Sequence, residues 1–417
     1  MKVLILGSGA REHALTWKFS QSKRISGLFI APGNAGTEEL GENLPKLSPS
    51  DVDSVVAVCR EKKIDFVFVG SEEPLAAGIV DRLSAEGIRS FGPNRKATQL
   101  ESSKVFAKDF MKRHGIPTAE ARQFESERDF VDYMSSVTGR VVVKKSGLAA
   151  GKGVLDTEKH DELIKFGKAV LAHDRLIVEE FLAGFELSVF ALTDGAHSVL
   201  LPICSDFKKA EEGDKGKNTG GMGAVCPVPA VDARLLDAIR RTIVEPTFSG
   251  IAEEGLSYKG VLYFGLIITA QGPKLLEYNV RFGDPEAQVL LPLVESDFAN
   301  LMDAIWDGKL EQFPLRISER SALGVVVASK GYPDAYKAGL RVASLPPFSS
   351  GDVLVFHAST KTDSNGRLVT GGGRCFTVVG LGTNLLNANV RAYEAAAKVV
   401  FEGAWYRKDI GRKYFID

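Results

Sequence analysis

Cysteine is scarce: Cys59, Cys204, Cys226 and Cys375 are far apart and form no C-x-x-C pair. Neither a thiolate metal knuckle nor a disulfide framework can be built from them, so they read as buried thiols of a reducing compartment. The six histidines show no metal-ligand spacing either. Long apolar runs are also missing. Met1-Lys2-Val3-Leu4-Ile5-Leu6-Gly7 is too short for a secretory signal core, and no later run reaches the ~18 residues of a membrane span. A cytoplasmic protein with no membrane association is expected. No excess of one charge sign exists, with 52 Lys and Arg against 53 Asp and Glu, so a nucleic-acid partner is not expected. Low-complexity tracts and fixed-period repeats are absent. What remains is ordinary globular composition over 417 residues, enough for about three domains.

The first hundred residues alternate strand and helix: Val3 to Leu6, a helix from Arg11, Leu28 to Ala31, a helix over Val52 to Lys62, Phe66 to Val69, a helix from Pro74, and Ser90-Phe91. Strands separated by helices imply a doubly wound parallel sheet. Its first turn, Gly7-Ser8-Gly9-Ala10-Arg11-Glu12, fails the dinucleotide fingerprint because Glu12 stands where a third small residue belongs. The turn can still offer backbone N–H groups to one phosphate. A second loop, Pro32-Gly33-Asn34-Ala35-Gly36-Thr37, falls at the same carboxyl edge, where ligands of open α/β sheets bind.

After Gly92-Pro93-Asn94, a helix runs from Ser102 to Met111 and carries Lys104 in its first turn. Val141 to Lys144 leads into Lys145-Ser146-Gly147-Leu148-Ala149-Ala150-Gly151-Lys152-Gly153 and out through Val154-Leu155. The spacing is not that of a Walker A loop. It reads as a glycine-rich hairpin that can close over a triphosphate, with Lys152 and Lys144 reaching phosphate oxygens. A plain surface hairpin is the alternative. Leu176 to Glu179 reads as a strand ending in Glu180-Phe181-Leu182, with Glu186 beyond. The polar connection from Asp206 to Pro229 holds Lys208-Lys209 and Asn218-Thr219-Gly220-Gly221-Met222-Gly223, and a loop of that length inside a domain points to substrate handling.

A helix over Leu235 to Glu254 then precedes an antiparallel pair, Gly260 to Thr269 and Lys274 to Val280. In the second strand Leu276, Tyr278 and Val280 alternate with Glu277, Asn279 and Arg281, so one face is apolar and the other carries a carboxylate, an amide oxygen and a guanidinium. Two oxygen donors followed by a fixed cation suit a hard metal and an anion, although a half-solvated strand shows the same alternation. The C-terminal part, from Ala322, reads as a small α+β unit: strands at Val325, Val353 and Phe376, the cluster Gly371-Gly372-Gly373-Arg374, and a helix over Leu385 to Phe401.

Taken in order, Ala10-Arg11-Glu12-His13-Ala14, Ala31 to Thr37, Gly147 to Gly153, Asn218 to Gly223, Glu277 to Glu286 and Tyr406-Arg407-Lys408-Asp409-Ile410-Gly411 resemble the phosphoribosylamine–glycine ligase (glycinamide ribonucleotide synthetase) family of ATP-grasp enzymes. The resemblance runs almost end to end. It implies a multidomain α/β and α+β fold: a pre-ATP-grasp domain at 1–102, an ATP-grasp domain at 103–324 with a lid near 122–190, and an α+β domain at 325–417. It implies a chain that acts on small molecules, forming glycyl phosphate from glycine and ATP and passing the glycyl group to 5-phosphoribosylamine; a monomer is an expectation separate from the resemblance.

By the same resemblance ATP is held by Lys104, Lys144, Gly151, Lys152, Gly153, Glu179, Glu180, Phe181, Leu182 and Glu186. Mg²⁺, or Mn²⁺ in its place, sits on Glu277 and Asn279, and Arg281, Lys144 and Lys152 serve the chemistry. Gly9, Arg11, Gly33, Asn34, Asp206, Lys208, Asn218, Thr219, Gly220, Gly221, Met222 and Arg281 face the substrates. Two positions depart from the family pattern. Phe207 stands where the family has histidine, and Ser146, after Lys145, where it has an acidic residue. A ligase for another acid or amine, and a nucleotide-binding regulator without turnover, are the competing readings.

Overall fold

The structure, a computed structural model, describes residues 1–149 and 153–415. Apolar strands Lys2–Gly7, Gly27–Pro32, Phe66–Val69 and Arg89–Pro93, with the short Glu42–Asn43, form the parallel sheet read from the sequence. Lys2–Gly7 lies in the middle, with Gly27–Pro32 on one side and Phe66–Val69 on the other. The chain therefore reverses its direction of travel at the carboxyl end of this strand, where open α/β sheets leave a crevice. Glu72, the first residue of helix Glu72–Ala77, is delivered to that edge.

This sheet does not end with the N-terminal part. Pro93 and Gly92 pair antiparallel with Tyr258 and Lys259, so the strand Tyr258–Thr269, its partners Phe185–Thr193 and Gly272–Asn279, and Ser198–Leu200 beyond Phe185–Thr193 extend it to nine strands. In the last pair the register slips between Gly265, opposite Glu277, and Leu266, opposite Leu275. Leu276 is the extra residue of a bulge. The sequence put Leu276 on the apolar face, but Leu275 takes that core position and Leu276 lines a cleft.

A smaller sheet of Ala121–Phe124, Leu176–Glu180, Val141–Lys145 and Val154–Asp156 carries its own core, including Phe124, Phe130, Val143, Leu163 and Val178. It lies in the region expected for the lid, near 122–190, and its strands stop at Glu180. Phe185–Thr193, placed with it by the sequence reading, pairs along its whole length with Tyr258–Thr269 instead.

The third sheet is built around Ser321–Ser329, flanked by Arg374–Gly382 and Gly223–Cys226. The long connection after Asp206 is thus not a plain loop: it supplies the hairpin Lys209–Glu211/Lys215–Asn218 and a strand of the C-terminal sheet. The last helix spans Leu385–Ala396 rather than reaching Phe401, because Val400–Phe401 pairs with Val342–Ser344.

The N-terminal and C-terminal parts meet over buried polar groups. The His13 ring stacks on Phe348 and its Nδ1 accepts the His357 N–H at 2.9 Å. Asn34 Nδ2 donates to the carbonyls of Ser8 and His357, while its Oδ1 accepts from the Gly36 and Thr37 N–H groups. Burial lowers the His357 pKa from 6.5 to about 4. A histidine depressed in the folded state favours folding above its unfolded pKa, and that contribution is lost as pH falls from 6.5 towards 4. At 1.36 kcal/mol per unit the loss is up to about 3 kcal/mol. Titration of the His357 ring by NMR is expected to find it neutral at pH 5.5, and an ordinary midpoint near 6.5 would show that water reaches this junction.

Candidate active site

A cleft of about 380 Å³ opens where the nine-stranded sheet, the lid and the C-terminal sheet converge. One end is apolar, formed by Ala107, Met111, Leu148, Val154 and Leu276, with Lys108 and Glu179 as its ionisable groups. The other end is charged, with Arg11, Glu72, Glu101, Asp206, Lys208, Arg281, Asp284, Glu286 and Arg374. Lys104, Glu277 and Asn279 lie between them on its wall.

Arg281 is half-buried and nearly saturated. Its Nε lies 3.1 Å from Glu72, its NH2 2.9 Å from Glu101 and 3.1 Å from Asn279 Oδ1, and its NH1 3.2 Å from the Phe282 carbonyl. A guanidinium has five N–H donors, so one on NH1 is left for a ligand. Burial works against the charge on Arg281, but Glu101 and Glu72 outweigh it and raise its pKa. Burial pushes the Glu101 carboxyl up despite Arg281, and its Oε2 accepts the Val280 N–H at 2.7 Å.

Glu277 stands apart. Burial opposes its charge, yet Lys208, Lys104, Lys144 and Arg281 hold its carboxyl below the usual range. Among the described residues, the ionisable side chains lining the cleft with neither an ion pair nor a hydrogen bond are Glu277 and Lys104. Asn279 Oδ1 keeps one lone pair beyond its bond to Arg281, while its Nδ2 is buried without a partner. An ionised carboxylate beside an amide oxygen fits a hard divalent cation that keeps most of its other ligands as water or phosphate.

Other groups are committed to each other. Lys208 Nζ lies 2.6 Å from Glu186 and 3.7 Å from Asp206. Burial disfavours the Lys208 charge, but these two carboxylates keep its pKa high, while burial pushes the Asp206 carboxyl up to about 7. Lys144 binds Glu179 at 2.7 Å, so the strand lysine read as a phosphate contact is paired with a carboxylate. Glu180 bonds the Glu120 N–H and Lys274, Phe181 lies under Arg140, and neither they nor Leu182 line the cleft.

The expected substrate residues divide. Arg11, Asp206, Lys208, Thr219 and Gly220 line the cleft with Gly153 of the hairpin, whereas Gly151 and Lys152 lie outside the described residues. Gly33 and Asn34 do not reach it, since Asn34 is spent at the inter-sheet junction and the Asn43 side chain packs against Gly33. Asn218 is exposed and Met222 is a core residue, because the strand that follows is drawn into the C-terminal sheet. Gly221 packs on Pro285 instead. The Gly9 N–H is taken by Glu12 Oε2 at 2.6 Å, and Asp284 lies beside Gly9. Two carboxylates therefore already complement the helix N-terminus where a phosphate was expected.

Sequence reasoning missed Glu72, Glu101, Lys108 and Arg374. Arg374 NH1 donates to the Gly220 carbonyl at 2.6 Å and the Asp284 carbonyl at 3.0 Å, pinning the glycine loop to the Asp284 turn. Lys108 had a usable signal, because it follows Lys104 by one helical turn on the same face.

Residues 1–101 match the phosphoribosylglycinamide synthetase N domain, 102–287 its ATP-grasp (A) domain and 322–413 its C domain. The chain belongs to the phosphoribosylglycinamide synthetase family. Within this family it is 44% identical over 430 residues to a phosphoribosylamine–glycine ligase of Chlorobaculum tepidum, covering 99% of this chain and 100% of that protein. It is 44% identical over 422 residues to the human trifunctional purine biosynthetic protein adenosine-3, covering 98% of this chain but only 42% of that protein. A crystal structure of phosphoribosylamine–glycine ligase from Thermotoga maritima superposes with a TM-score of 0.86 at 35% identity, over 99% of this chain and 100% of that one. A biotin carboxylase of Campylobacter jejuni shares the fold, with a TM-score of 0.75 at 14% identity over 97% of this chain and 92% of that one.

Removing one member of a buried ion pair strands the other. Glu101→Ala is expected to lower stability by about 3–5 kcal/mol in denaturant unfolding, and a loss below about 1 kcal/mol would show that Arg281 does not depend on this partner.

Proposed function

We propose that this synthetase-family protein joins glycine to 5-phosphoribosylamine in purine synthesis, converting ATP to ADP and phosphate through glycyl phosphate. The observation that carries the reading is the pair Lys104 and Glu277, among the described residues one uncommitted cation and one uncommitted anion in a cleft where the other lining charges are bonded. Such a pair is left open for a phosphate and a metal. The family match from end to end supports the substrates, and the proposed domain limits are 1–102, 103–324 and 325–417, beside family-model matches at 1–101, 102–287 and 322–413.

The apolar end takes the nucleotide base, which places the triphosphate along the wall towards Lys104. Magnesium bound by Glu277 and Asn279 would neutralise charge on the bridging phosphates, and manganese suits the same oxygen donors. A glycine carboxylate oxygen attacks the γ-phosphorus and ADP leaves. The amine then attacks the acyl carbon, phosphate departs, and the amine gives up a proton. Phosphoryl transfer depends mostly on position and charge neutralisation. Lys104 supplies a cation for the phosphates, and the remaining NH1 hydrogen of Arg281 is aimed from a fixed guanidinium at the oxygen that gains charge. Rigid pairing with Glu72 and Glu101 keeps that donor in place. Asp206 and Lys208 lie at the charged end, where the phosphorylated amine enters. The reading takes the protein to act as a monomer in the cytoplasm.

Purified protein given glycine, phosphoribosylamine and Mg-ATP is expected to release ADP only when all three are present. ADP release with a different acid or amine, and not with this pair, would move the protein to another ligase. Bound but unchanged nucleotide would make it a sensor. Glu277→Ala is expected to lower the rate by several orders of magnitude with the fold intact, and a loss below about tenfold, or ~1.4 kcal/mol of barrier, would remove it as a central ligand.

A further inference from the structure

The apolar end of the cleft contains a charge cluster that phosphate transfer does not use. Lys108, 7% exposed, lies on the helix Lys104–Arg113 one turn beyond Lys104. Its Nζ is 3.1 Å from Glu179 Oε1, 2.7 Å from Thr118 Oγ1 and 3.3 Å from the Ala119 carbonyl. An ammonium has three hydrogens, so these three oxygens use all of them and none is left for a phosphate. On the other side of the carboxylate, Lys144 Nζ lies 2.7 Å from Glu179 Oε2. Glu179, 2% exposed, is therefore gripped by a cation on each oxygen and acts only as an acceptor. Its surroundings in the cleft, Ala107, Met111, Leu148, Val154 and Leu276, are apolar and suit a flat ring.

We propose that Lys108 is a positioning residue for base selection, holding Glu179 as a fixed acceptor that admits a purine with an amino group at position 6 and rejects one with a carbonyl there. The inference rests on the reading that this slot takes the nucleotide base. An exocyclic amino group donates to the carboxylate, whereas a carbonyl oxygen would face it as a second acceptor inside an apolar slot. Sites built around a buried polar partner discriminate strongly, because the wrong ligand leaves that partner unpaired. Lys144 alone cannot fix the group in the same way, since it holds one oxygen from the lid strand, whereas Lys108 anchors the other from the helix beneath and is itself tied to Thr118 and Ala119.

Titration calorimetry of the full chain with ADP and with inosine diphosphate, each with Mg²⁺, tests this contact, because the two ligands differ at position 6 and in the N1 proton that accompanies the carbonyl there. The native protein is expected to prefer ADP by at least about 10-fold, the range for one hydrogen bond to a charged group. Lys108→Met is expected to bring the two affinities within about threefold, mainly by weakening ADP, and Lys108→Arg to restore most of the preference. If Lys108→Met does not fold, Thr118→Val decides: it removes one anchor of the ammonium and is expected to lower the ratio in the same direction. Equal binding of the two nucleotides by the native protein would overturn the proposal, as would a folded Lys108→Met, or a Thr118→Val standing in for it, with the native ratio. Binding of neither nucleotide would instead overturn the reading of the slot itself, which separates the two failures.

Discussion

A guanidinium taken out of water must be given carboxylates and carbonyls, and the positions of those partners decide how the parts of this molecule are joined. Arg281 lies two residues beyond the strand Gly272–Asn279 of the large sheet, Glu72 begins a helix at the carboxyl edge of the parallel strands, and Glu101 sits near the end of the connecting helix Arg95–Ser102. One side chain therefore binds three segments far apart in sequence. Pairing of Arg89–Pro93 with Tyr258–Thr269 makes the arrangement possible, because it fuses the two sheets and fixes the edge carrying Glu72 relative to the strand carrying Arg281.

The same rule orders the rest of the cleft. Glu179 lies between two lysines, Lys208 between two carboxylates, and Arg374 against Asp284. The first grouping keeps one formal positive charge, the second one negative and the third none, so the three cancel in sum, which lowers the penalty of holding so many ions in a partly closed space. It also makes the exceptions informative. Glu277 is held in ionised form by Lys208, Lys104, Lys144 and Arg281 without being bonded to them, and Lys104 is likewise unbonded among the described residues, so both are better satisfied with ligand present than without.

Much of the fold was legible because it follows period-two and period-3.6 patterns over segments long enough to average out exceptions. The alternation that exposes Glu277, Asn279 and Arg281 on one face was readable from eight residues. The bulge that turns Leu276 into the cleft was not, because it is set by the slip against Gly265 and Leu266 of the partner strand. Strands of two to four residues after Asp206 were hidden for a related reason: Gly223–Cys226 is a strand only because Ser321–Ser329, a hundred residues later, pairs with it. Glu72, Glu101 and Arg374 carry no local signal, since each is defined by a partner at least 90 residues away. Asn34 shows the opposite error. A conspicuous loop motif marked it as a ligand contact, while its amide is fully engaged in holding the Gly33–Thr37 loop to the strand ending at His357.

The departures from the family pattern bear directly on whether the chemistry survives. Successive residues of an extended segment point to opposite sides. Asp206 and Lys208 face the cleft, so Phe207 faces away; it is 2% exposed, with Lys413 4.6 Å above its ring and Arg407 beyond. A histidine at that position on this backbone would meet the C-terminal segment and not the ligands. Ser146 is likewise internal: its hydroxyl accepts the Val105 N–H and its carbonyl the Lys104 N–H, so it completes the start of the helix bearing Lys104 and Lys108. An acidic residue there would place a charge at the helix N-terminus, whereas serine satisfies the same amide without one. Both positions therefore belong to the support of the cleft and not to the side chains that line it.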